Sequence, residues 1–96
     1  MNKDEPLMNF LKLVNNKFGE NTFHIIDHWN IYEAIGLQKN NKLIYIEHLK
    51  LNNFFYECEL LLDDPEEVYI VYSTDFNVTA EELLEIMSKF FEIKIL

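Results

Sequence analysis

The sequence predicts an α+β fold: an antiparallel meander of three to five strands, with an N-terminal and a C-terminal helix packed on one face. Three observations point to it. A helical apolar stripe opens the chain, and a second one nearly closes it. Period-two segments parted by Asn pairs fill the middle, and strands nowhere alternate with helices. One domain over residues 1–96 is expected, since domains most often run to roughly 100–150 residues.

In the first helix, expected over residues 4–18, Leu7, Phe10, Leu11, Val14 and Phe18 recur at helical spacing and make one stripe. Pro6 suits a first turn, Asp4 and Glu5 suit the positive end of the helix dipole, and Gly19 is placed to cap the end. Residues 22–37 could be read as a helix capped by Thr22. The β-branched and aromatic residues Ile25, Ile26, Trp29, Ile31, Tyr32 and Ile35 instead favour one or two strands.

Asn40-Asn41 marks a turn before Leu43-Ile44-Tyr45-Ile46. Asn52-Asn53 then parts residues 43–51 from 54–62, as in a hairpin. Asp63-Asp64-Pro65 ends the second arm, because proline cannot donate to a sheet ladder. Val68–Tyr72 reads as a short central strand. Thr79 and Glu82 form a capping box before a second stripe of Leu83, Ile86, Met87 and Phe90, with the helix ending near Phe91. The alternating tail, residues 92–96, is expected to add to a sheet edge.

Seventeen acidic residues stand against eight basic ones, a net charge of −9, while 49% of the residues are hydrophobic and 15% aromatic. Chains this charged are disordered when apolar residues are scarce. Here they are plentiful, so the expectation is a folded domain with an acidic surface. The chain contains no arginine. Without a basic patch it lacks the means to hold nucleic acid or anionic lipid, so neither partner is expected. No apolar run is long enough to cross a membrane. The start, Met1-Asn2-Lys3-Asp4-Glu5-Pro6, has no secretory character, and a single cysteine, Cys58, fits a reducing, cytoplasmic setting.

Strand alternation sorts the candidate binding residues. Phe54, Tyr56, Cys58, Leu60 and Leu62 share one face, with Ile44, Ile46 and His48 beside them. Tyr45, Glu47, Phe55, Glu57 and Glu59 take the other face, outward, because an unpaired buried carboxylate is costly. Glu33 would join them if its segment were strand. Acid interleaved with aromatics suits recognition of a basic protein, aromatics as anchors and charge for steering. A second candidate is the loop carrying Asp63, Asp64, Glu66 and Glu67.

Catalysis is not expected. His24 and His28 are four apart but lack a third ligand, so neither a metal nor a cofactor is anticipated. A Cys58–His48 pair would lie on the inner sheet face, where a buried thiol acts as an apolar group. Glu57 and Glu59, on an open face, would have no pocket to tune them for acid–base work.

With these features the chain resembles the small immunity proteins that bacteria encode beside contact-dependent or other polymorphic toxins. The likeness is carried by a compact acidic domain without a catalytic motif, by Tyr45, Glu47, Phe55, Glu57 and Glu59, and by the acidic run from Asp63 to Glu67. The resemblance implies a cytoplasmic protein that binds a cognate toxin, often a basic nuclease, and occludes its active site or substrate surface. The alternative is an acidic interaction or adaptor subunit that forms a homodimer through exposed strand edges.

Overall fold

The computed structural model describes residues 2–61 and 69–95. Helix α1 (Glu5–Phe18) buries the five stripe residues Leu7, Phe10, Leu11, Val14 and Phe18. Asp4 stands just before it and its Oδ1 accepts from the Leu7 amide at 3.0 Å, satisfying one amide that the helix itself cannot. Gly19 closes the helix with φ at 96°, a conformation that side-chain-bearing residues avoid.

Five strands follow: β1 (His24–Ile26), β2 (Ala34–Lys39), β3 (Lys42–Lys50), β4 (Asn53–Leu61) and β5 (Tyr69–Val78). Each pairs antiparallel with the next, in the order β1-β2-β3-β4-β5. Helix α2 (Ala80–Phe91) completes the α+β arrangement. Its capping box is formed in both directions: the Glu82 amide donates to Thr79 Oγ1 at 3.2 Å and the Thr79 amide donates to Glu82 Oε1 at 3.0 Å.

Both helices lie on one sheet face. Their stripes meet Ile35, Leu37, Ile44, Ile46, Phe54, Tyr56, Cys58 and Val78 in one core cluster, and the Phe10 and Phe54 rings sit 5.4 Å apart. Cys58 is fully buried there, opposite Ile44, while His48 pairs four positions further along, opposite Phe54.

The strand ends depart from the sequence reading in four places. Residues 22–37 carry two strands as expected, β1 and the first part of β2, but the stretch from Asp27 to Glu33, with Trp29 and Tyr32, is loop between them. The β3–β4 turn falls on Leu51-Asn52, with Asn53 already paired to Lys50. Asn52 is drawn into that turn by α2: its Oδ1 accepts from the Ala80 amide at 3.4 Å and its Nδ2 donates to Glu81 at 3.2 Å. The fifth strand is neither short nor central. It is ten residues long and lies at the sheet edge, because the whole meander adds strands in chain order. The tail makes no strand over 93–95. There the Ile93 amide donates to Ser88 O and the Ser88 hydroxyl donates to Ile93 O, folding the chain back onto the helix end. Val68, Leu62 and Leu96, and the loop residues Asp63, Asp64, Glu66 and Glu67, lie outside the described residues.

Candidate functional site

The bare face of the sheet carries the site. Strand register sets its side chains: Tyr45 stands between Gly36 and Glu57, Glu47 between Ala34 and Phe55, and Glu59 beside Leu43. Tyr45, Glu47, Phe55, Glu57 and Glu59 therefore share the face away from the helices. Phe55 extends the face toward β5 by meeting Phe76, at 5.2 Å between ring centroids.

Trp29 is the residue that shapes this face. Its loop folds back over β2, and its indole rests on Gly36, where any Cβ would fall 2.8 Å from the ring. The indole meets Tyr45 edge-on at 4.9 Å and His28 at 4.2 Å. His28, Trp29, Tyr45, Phe55 and Phe76 thus form one row of rings across the sheet. Single exposed aromatics are ordinary; here the rings are contiguous. Phe76 ends it 66% exposed.

A strap at the N-terminus holds the Trp29 loop. Lys3, whose side chain is only 2% exposed, pairs with Asp27 at 2.6 Å and donates to Ile31 O at 2.7 Å. The Asp4 amide donates to Tyr32 O, and the His48 amide to Glu33 O. Asp4 Oδ2 also meets His48 Nδ1 at 2.8 Å, while His48 Nε2 reaches Leu51 O at 2.9 Å. The loop is anchored at both ends.

Between the Trp29 loop and β4 lies a cavity of about 280 Å³, lined by His28, Trp29, Leu43, Tyr45, Phe55, Glu57, Glu59 and Leu61. Here the expectation of an open face without a pocket is corrected. The sheet alone would be open, but Trp29 supplies a wall that no strand pattern encodes. Glu59 faces outward as expected, yet it is only 6% exposed. Burial, and then the Glu57 carboxylate beside it, push the Glu59 carboxyl up to about 7.

The Tyr45 hydroxyl donates to Glu47 Oε1 at 2.7 Å. Its burial, that bond and the charges of Glu47, Glu57 and Glu33 push the phenol upward, so it stays a donor. Glu33 lies just outside β2 but its charge reaches this face. Among the described residues, ion pairs join Lys3 to Asp27, Lys42 to Glu92 and His48 to Asp4, and none reaches Glu47, Glu57 or Glu59.

Sequence reasoning missed Trp29, Gly36, His28, Phe76 and Lys3. One signal was available: a lone glycine inside a strand marks a close approach, and Gly36 sits between Ile35 and Leu37. His24 and His28 part company, one in β1 and the other on the Trp29 ring.

Fold and site together define an open antiparallel sheet with helices on one face and an acid–aromatic surface on the other. Comparison of the chain with protein-family models, with curated proteins and with solved structures finds no match. No helix among the described residues is long and apolar enough to cross a membrane.

Proposed function

We propose that this chain is a non-catalytic binding protein of the cytoplasm that neutralises a cognate basic toxin, such as a nuclease, by covering its active site or substrate surface. The observation that carries the reading is the ring row from Trp29 to Phe76, flanked by Glu47, Glu57 and Glu59, on the face that the helices leave bare. Aromatic anchors supply contact area at small entropic cost, and carboxylates beside them that no described cation pairs with select a cationic partner. A net charge of −9 on 96 residues adds long-range attraction. A nuclease is positive where it binds phosphate, so such a face competes with its substrate.

The test is association with the product of the neighbouring reading frame at about 50 mM and about 300 mM salt, between which the screening length shortens from about 14 Å to about 6 Å. Tight binding with an on-rate that falls at least severalfold in the higher salt is expected. No binding, or an on-rate indifferent to salt, would overturn the reading.

A second reading rests on β5, a ten-residue strand at the sheet edge. Edge strands can pair with another chain, and a homodimeric adaptor would use this one. Sedimentation of the isolated chain separates the two readings: a stable dimer favours the adaptor, a monomer the binding protein.

A further inference from the structure

We infer that the cavity between Trp29 and Glu59 is a socket for one arginine side chain of a basic protein partner. The inference rests on the reading that the outer face docks such a partner, and it names the group that the face grips.

Its size comes first. At about 280 Å³ the cavity falls just under the roughly 300–1,000 Å³ of sites that enclose whole small molecules. A single side chain, arriving on a larger partner, matches that scale. The exposed Phe76 at the end of the row leaves room for the partner's surface to continue beyond the socket.

Its chemistry comes second. Glu59 is nine-tenths buried, lines the cavity, and has another acid, Glu57, beside it on the same lining. Buried carboxylates ordinarily face a cation or several donors. Here the described lysine pairs lie elsewhere, on Asp27 and Glu92. Among the described residues no cation pairs with Glu57 or Glu59, so the buried carboxyl faces the cavity without a positive partner.

Shape decides between ammonium and guanidinium. Two carboxyl groups offer several acceptor oxygens, which a planar fork with five donors engages together. The Trp29, Tyr45 and Phe55 rings form the walls, and guanidinium stacks on such rings and sheds water more readily than ammonium.

Trp29 is the chain's one tryptophan, so its fluorescence reports on the socket directly. The full chain is titrated with N-acetyl-arginine amide, with the lysine analogue and with the neutral citrulline analogue, at constant ionic strength. A saturable change is expected with arginine, about fivefold weaker with lysine and absent with citrulline. Glu59→Gln, which keeps the shape and whose folding is checked by circular dichroism, is expected to weaken arginine about tenfold or more, and Glu57→Gln to weaken it in the same direction. Equal binding of citrulline, lysine binding tighter than arginine, or an unchanged folded Glu59→Gln would each overturn the socket. A basic partner that binds wild type and the double Gln variant equally would overturn the socket and leave the docking face standing. Arginine capture without any basic protein partner would support the socket and overturn the docking reading.

Discussion

The indole of Trp29 lies where a side chain on Gly36 would have to be: a Cβ there would stand 2.8 Å from both Cζ3 and Cη2 and 3.2 Å from the Ile26 Cβ. A strand glycine usually weakens a sheet. At this position it lets an aromatic ring descend onto the backbone and become the wall of a cavity.

Gly36→Ala should therefore cost about 1–3 kcal/mol of stability, the usual range for overpacking. The half-buried Trp29 would swing outward, and its emission should shift to the red. Denaturant unfolding followed by fluorescence checks both effects. A variant as stable as wild type with unchanged emission would show that the ring does not rest on Gly36.

Glu59 gives a pH signature. In the fold its carboxyl titrates at about 7, against an ordinary 4.5. Between these values the folded chain retains a proton that the unfolded chain has released, so this group's contribution falls as pH rises through the window. Glu59→Gln removes that loss. Its Tm should match wild type near pH 4.5 and exceed it at pH 8, by an amount worth up to about 3 kcal/mol at 1.36 kcal/mol per pKa unit. A constant Tm gap across the range would contradict the assignment.

Asp27→Ala leaves the Lys3 ammonium, almost wholly buried, with only Ile31 O as a partner. Breaking such a pair typically costs about 3–5 kcal/mol, and the Trp29 loop loses its strap. Reduced stability together with greater quenching of Trp29 by acrylamide is the expected result. Lys3→Met, which removes the charge and keeps an apolar stem, should cost less.

Asp4 serves two partners, the Leu7 amide through Oδ1 and His48 through Oδ2. Loss of the cap alone is worth roughly 1 kcal/mol. Asp4→Ala, His48→Ala and the double variant should then fail to add, with a coupling of about 0.5–3 kcal/mol. Additive losses would mean that the contact does nothing for the fold.

Phe76→Ala tests the face apart from the core. The ring is 66% exposed, so the change in stability should stay within about 0.5 kcal/mol. Affinity for the basic partner, by contrast, should drop several-fold, since exposed rings in such rows are the anchors of interfaces. Unaltered affinity would place the contact surface elsewhere, the acidic run from Asp63 to Glu67 being the next candidate.

Much of the frame was readable in one dimension because its causes are local. The stripe from Leu7 to Phe18, the Thr79–Glu82 box and the Asn40-Asn41 turn act within a few residues, and structure formed from them as expected. Alternation likewise sent Tyr45, Glu47, Phe55, Glu57 and Glu59 to one face, because the pleat has a period of two.

Edge and pocket had no such local cause. Whether Tyr69–Val78 is central or peripheral depends on how all five strands are ordered. Glu59 looked like any solvated acid until Trp29, thirty positions earlier, was laid beside it by Gly36 and held by Lys3. Sequence by itself determined the helices, the meander and the acidic character, through periodicity and charge. Only the tertiary structure decided where water is excluded, since burial is set by residues that meet in space, and that exclusion is what gives the Glu57–Glu59 pair its chemistry.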